Sequence, residues 1–217
     1  MIKRYVPRGQ LLDIGCAGGY LLEVARDEFG YDVKGIEVSE EMSTRARSRG
    51  LDVLTGLIEN IPSDWKRFDI VYMGDVLEHI PMPRPLMEKI KPQMEQGSIL
   101  VLELPLTYNL TLSGILIGIA NMFKGNFGYR YFLPAQHRHG LEQKPPYHVL
   151  MFSRRSIRNF FRRQGFAIRY LKVYEGEPKL KFIGTWYGWL KRMTHWFTYN
   201  MPQSLLGDRM LVIAEKI

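Results

Sequence analysis

Residues 11–25 read LLDIGCAGGYLLEVA. An apolar run delivers Asp13, glycines at 15, 18 and 19 make a tight turn, and Leu21, Leu22 and Ala25 then recur at helical spacing. This is strand, turn and helix in immediate succession. Glycines at such a turn let the main chain approach a ligand closely and expose helix N-terminal amides, an arrangement suited to nucleotide or carboxylate groups. Glu37 closes the next apolar run, 19 residues beyond Gly18, where a carboxylate can accept both hydroxyls of a ribose.

The same alternation continues outward. Val33 to Ile36 is a second strand, Ser39 can cap a helix with Met42 and Ala46 inside, Asp52 to Leu54 reads as a third strand and Phe68 to Met73 as a fourth. Pro83 to Met94 reads as a helix with Pro92 near its end, and Gly97 leads into a buried fifth strand, Ser98 to Glu103. Ser153 to Gln164 is a helix closed by Gly165, followed by strands at Phe166 to Val173 and Met210 to Ala214. The expected fold is therefore α/β, a Rossmann-like doubly wound sheet of seven strands, mostly parallel with an antiparallel C-terminal strand. One domain over residues 1–217 is expected, with insertions at about 106–145 and 175–207. The second insertion, Glu175 to Gly207, reads as a long irregular stretch rich in aromatics, including Trp186, Tyr187, Trp189, Trp196, Phe197 and Tyr199.

A ribose-binding acid would serve a nicotinamide dinucleotide equally well, but the dinucleotide fingerprint is G-x-G-x-x-G and this turn is G-x-x-G-G after an acid. DIGCAGG, then GIEVSEEM, then FDIVYMGDVLEHI resemble the successive motifs of class I S-adenosylmethionine-dependent methyltransferases. PYHVLMFSRRSIRNFFRRQGF resembles their small-molecule branch, which includes the ubiquinone-biosynthesis O-methyltransferases. The likeness covers roughly residues 10–104 and 145–174, and four motifs in order carry it. It implies S-adenosylmethionine as cofactor, with Asp13 and the turn of Gly15, Cys16, Gly18 and Gly19 at the amino-acid end. Glu37 would take the ribose and Val38 the adenine, and Asp75, at the mouth of the site, is a further cofactor-binding candidate. Where the family often has an acid for the adenine amino group, this chain has Leu57 with Ile58 beside it, which leaves adenine recognition to main-chain groups or to Glu59.

Methyl transfer from a sulfonium requires exclusion of water and alignment of the nucleophile, and it requires a base where the nucleophile still holds its proton. Histidine is the natural base near neutral pH. His148, in Pro145-Pro146-Tyr147-His148, and His79, in Gly74-Asp75-Val76-Leu77-Glu78-His79, are the candidate catalytic residues. No metal is expected; Asp75, Glu78 and His79 form the only acid-x-x-Glu-His set in which the family resemblance allows a divalent cation. His137 and His139 read as a solvated pair in a basic loop, and His195 is given no role.

The net charge of +8 divides unevenly: residues 1–123 carry 13 Lys+Arg against 17 Asp+Glu, and residues 124–217 carry 17 against 5. The C-terminal part, net +12, is expected to face an anionic partner. Arg154, Arg155, Arg158, Arg162 and Arg163 crowd one helix, with Ile157, Phe160 and Phe161 on its inner side. Leu110 to Phe123 is apolar but only 14 residues long, short for a membrane span and suited to a buried or interfacial helix. Together these features point to a small-molecule or lipid- or glycan-linked acceptor, methylated at oxygen, with the insertions as a lid or as peripheral membrane contact. RNA is the rival acceptor, motivated by a pI of about 9.5; it is opposed by the missing Asn/Asp-Pro-Pro-aromatic tetrapeptide after the fourth strand and by the lack of a recognisable RNA-binding module. A non-catalytic cofactor-binding module is the remaining alternative. The single cysteine, Cys16, and a start without a signal-like apolar segment fit a cytoplasmic location, which would include the inner membrane surface.

Overall fold

The computed structural model describes residues 1–62, 64–65, 67–106, 109–123, 148–177, 184–201 and 204–217. Its strands are β1 (Gln10–Ile14), β2 (Asp32–Glu37), β3 (Asp52–Thr55), β4 (Phe68–Gly74), β5 (Met94–Pro105), β6 (Phe166–Tyr174) and β7 (Arg209–Lys216). They form one sheet in the order β3-β2-β1-β4-β5-β7-β6. β1 to β5 pair in parallel, and β7 runs antiparallel to both of its neighbours. The strand order reverses between β1 and β4, so the chain diverges there and opens a crevice at the strands' C-terminal ends.

Alternation along the strands builds a core on each face. Leu12 and Ile14 of β1 join Val71, Met73, Leu100 and Leu102 under helices α3 (Pro83–Ile90) and α5 (Arg154–Arg163), reached by Met87, Ile90, Ile157 and Phe161. Leu11 points the other way, with Val33, Ile70 and Val101, under α1 (Tyr20–Asp27) and α2 (Glu40–Arg47). Truncating a fully buried residue such as Leu12 to alanine would cost about 2–5 kcal/mol. Ser39 caps α2 by accepting from the Met42 amide at 3.3 Å, and Ser153 and Ser156 cap α5 reciprocally.

Two boundaries differ from the expectation. The helix at Pro83 ends at Ile90, because Pro92 has no amide to continue it; a single tight turn, Lys91–Gln93, follows. β5 then starts at Met94, which already pairs with Phe68, and a register shift across Gly97 realigns it so that Ile70 faces Ile99. The stretch after Glu175 is also not irregular throughout: Thr185 caps a 15-residue helix, α6 (Trp186–Asn200). The 106–145 insertion contains α4 (Leu112–Phe123), and residues 124–147 lie outside the described part.

α4 and α6 pack together beside β6 through polar groups. Glu175, fully buried just after β6, accepts from the Ser113 amide at 3.1 Å and the Ser113 hydroxyl, and pairs with Lys191 at 3.0 Å. Lys191 also meets Asp208 at 3.0 Å, and Asp208 accepts from the Gly176 amide at 2.7 Å. Burial pulls the Lys191 amine down, but the charges of Asp208 and Glu175 outweigh it and hold the amine above its ordinary value.

Candidate functional site

The glycine turn lies at the end of β1 in the crevice. Gly15 and Gly19 have φ of 80° and 78°; a Cβ on Gly15 would come within 2.5 Å of Val76 Cγ2, and one on Gly19 within 2.4 Å of Leu51 Cδ1. Gly18 has a negative φ, and its Cβ would make ordinary contact with Arg45, so its role is not steric necessity. The amides of Gly15 and Cys16 donate to the Ile36 carbonyl at 2.7 and 3.2 Å, tying the turn to β2. The Cys16 thiol is turned into the core, where burial pushes it up to about 12, so it is inert.

Glu37, at the end of β2, is buried and held from both sides: Oε2 accepts from the Ala17 amide and Oε1 from the Ser39 amide, each at 2.8 Å. The carboxylate is thus oriented in advance, and each oxygen keeps a lone pair for a ligand hydroxyl. Asp13 is buried on β1; burial first, then the Glu37 charge, raise its pKa to about 7. Two acids at a strand crevice, one of them short of compensating positive charge, fit a ligand that carries a cation and a diol. Val38 and Leu57 are exposed and extend from neighbouring strand ends, since Glu37 pairs with Thr55 in the sheet. The Ile58 side chain is buried in the core, and the Leu57 amide already donates to Asn60 Oδ1 at 2.9 Å. Glu59 is exposed.

The two candidate catalytic histidines, distant in sequence, meet edge to face with ring centroids 4.9 Å apart. His148 reaches this position because the amides of Val149 and Leu150 both donate to the Glu78 carbonyl, at 2.9 and 3.0 Å. Glu78, close to both, is fully buried, with neither carboxylate oxygen finding a hydrogen-bond partner among the described residues. Burial, with a contribution from the Asp75 charge that His79 opposes, raises Glu78 to about 7. Donor atoms of Glu78, His79 and His148 all lie within 4.8 Å of one another, near enough to ligate one cation or to relay a proton through one intervening water. No metal is expected from sequence; the group that the resemblance allows for one is regrouped here, with His148 joining Glu78 and His79 and Asp75 paired with Arg209.

Asp75 has a φ of 54°, and both its carboxylate oxygens accept from Arg209, at 2.7 and 3.0 Å. Arg209 also pairs with Glu103 at 3.2 Å, and Glu103 accepts from the hydroxyls of Tyr72, at 3.0 Å, and Tyr174. Burial pulls the Arg209 guanidinium down, but Asp75 and Glu103 outweigh it, so it stays charged. This network floors a cleft of about 900 Å³ whose walls include His148, Tyr174, His195 and Tyr199. Sequence reasoning missed Glu103, Arg209 and His195. Glu103 ends a buried apolar strand just as Glu37 does, and that signal was available; Arg209 and His195 reach the cleft only through antiparallel pairing and the placement of α6. His137 and His139 lie outside the described residues.

A family model described as a methyltransferase domain matches residues 2–171. The mitochondrial ubiquinone biosynthesis O-methyltransferase of Candida albicans is 40% identical over 103 residues, 42% of this chain and 31% of that protein. The carboxy-S-adenosyl-L-methionine synthase of Campylobacter fetus is 30% identical over 150 residues, 64% of this chain and 63% of that protein. The chain thus spans less than two thirds of the length of these curated relatives. Among solved structures, the Haemonchus contortus phosphoethanolamine N-methyltransferase 2 in complex with S-adenosyl-L-methionine superposes with a TM-score of 0.60 at 17% identity, covering 99% of this chain and 51% of that one. That likeness establishes the fold.

Proposed function

This chain belongs to the methyltransferase-domain family, and from that premise we propose that it methylates a hydroxyl group of a small-molecule acceptor, with S-adenosylmethionine as donor. The observation that carries the reading is the meeting of Glu78, His79 and His148 beside the cleft that His148 and Arg209 line. The turn at Gly15 to Gly19 would hold the cofactor's amino-acid end, Asp13 would balance its positive charge, Glu37 would bind its ribose, and Val38 and Leu57 would flank its base. When bound, S-adenosylmethionine supplies a methyl carbon activated by its sulfonium. His148, exposed at the cleft, accepts the acceptor's hydroxyl proton. Glu78, buried close to both imidazoles, offsets in its ionised form the positive charge that the imidazole gains. The Asp75–Arg209–Glu103 network stays fixed and gives the cleft both signs of charge to orient a polar acceptor. Similarity to a ubiquinone biosynthesis O-methyltransferase supports oxygen as the acceptor atom.

The test is methyl transfer from labelled cofactor to matched panels of hydroxylated and amino compounds, with cellular RNA as a third arm. Transfer to hydroxyls, abolished by His148→Ala while cofactor binding persists, is the expected result. Transfer to RNA alone, or tight cofactor binding with no transfer to any panel, would overturn it.

A further inference from the structure

α6 is amphipathic in the inverted sense. Its buried stripe is Gly188, Lys191, Thr194 and Thr198, small or polar residues, whereas Trp186, Trp189 and Trp196 are 71, 64 and 67% exposed. Met193 and Phe197 are exposed on the same helix. α4 repeats the pattern, burying Ser113, Gly114 and Gly118 and exposing Leu116 and Ile119. A helix folded against a core in water shows the opposite arrangement. Here the buried side is satisfied by the Ser113–Glu175–Lys191–Asp208 network, so the apolar sides are left facing outward.

We propose that the outward faces of α4 and α6 dock this protein onto an anionic lipid surface. The residues themselves select that occupant. Residues 109–123 carry no charged side chain, and residues 184–201 carry no acid and one exposed charge, Arg192. The C-terminal region to which α6 belongs, residues 124–217, is net +12. Exposed tryptophans with Met193, Phe197 and one arginine on α6, beside the aliphatic face of α4, are a composition suited to helices that lie in the headgroup layer. The helices lie on the surface: at 12 and 15 residues they span about 18 and 22 Å, short of the ~30 Å hydrocarbon core. No helix among the described residues is long and apolar enough to cross a membrane. The other side of α6 lines the acceptor cleft through His195 and Tyr199, so docking would bring the cleft's rim to the lipid boundary.

Tryptophan emission reports on this face directly, because the fourth tryptophan, Trp65, is buried. The full chain is mixed with phosphatidylcholine vesicles with and without phosphatidylglycerol, and binding is read by flotation, emission wavelength and quenching by lipids brominated along their acyl chains. The expected result is flotation with anionic vesicles, a blue shift and quenching. The double substitution Trp189→Ser, Trp196→Ser should weaken binding roughly tenfold or more, with thermal stability and cofactor affinity kept. Arg192→Glu should weaken binding to the anionic vesicles alone. No flotation with anionic vesicles would overturn the proposal. So would unchanged binding by the tryptophan variant, or a dimer in light scattering that this variant breaks while wild type ignores lipid.

Discussion

Replacing Asp13 with asparagine tests the electrostatics of the turn through stability alone. Asp13 is buried beside Glu37, and its pKa is raised from the ordinary 3.8 to about 7. At 1.36 kcal/mol per pH unit, keeping it ionised costs the folded protein about 4 kcal/mol. An acid with a raised folded-state value holds a proton that the unfolded chain has already released, so its contribution to stability falls as pH rises from about 4 and is fully lost above 7. Asparagine does not titrate. The stability of Asp13→Asn relative to wild type should therefore improve by about 2–3 kcal/mol between pH 5 and pH 8, whatever constant offset the amide introduces. Urea unfolding of both proteins without cofactor, at the two pH values, measures this directly; the accompanying change in the difference of Tm is about 5–10 °C. Glu78 also titrates near 7, but it is common to both proteins and cancels. A stability difference that stays the same at pH 5 and pH 8 would refute the claim that Asp13 is held under electrostatic stress. Cofactor affinity should move in the opposite direction, with the variant binding more weakly because the balancing charge is gone.

Glu37→Gln should weaken cofactor binding by about 10- to 100-fold in calorimetry, the loss of a charged hydrogen-bond acceptor from the ribose, with little change in kcat once saturated. His148→Ala should lower kcat by about 10²- to 10⁴-fold, and chemical rescue by imidazole would separate a lost base from a lost fold. Lys191→Met leaves Glu175 buried without its ion pair and should cost about 3–5 kcal/mol in urea unfolding; adding Glu175→Gln should recover part of that, and a non-recovering double variant would contradict the network. Treatment with a chelator should leave methyl transfer intact; loss restored by zinc would reassign Glu78, His79 and His148 from proton transfer to cation ligation.

The layered fold, and the glycine turn with Glu37 beside it, were legible in the sequence because both rest on local rules. A strand alternates apolar faces within five residues, and a turn such as that of Gly15 and Gly19 needs positive φ whatever surrounds it. Glu37 could be placed by counting, since a parallel crossover puts it beside the turn with nothing else required. The cluster of Glu78, His79 and His148 depends on contacts between distant segments. Sequence could nominate His79 and His148 separately, but only the two amides donated to the Glu78 carbonyl bring the rings together beside a buried acid. Sequence could place Asp75 at the end of β4, but only the antiparallel pairing of β7 with β5 delivers Arg209 to it. For the aromatic stretch after Glu175, composition announced a lid or cover but read as irregular, so neither the helix nor the side it would bury could be told from it. That was decided by Lys191 finding Glu175 and Asp208, since a buried charge with partners costs far less than one without and so turned the tryptophans outward.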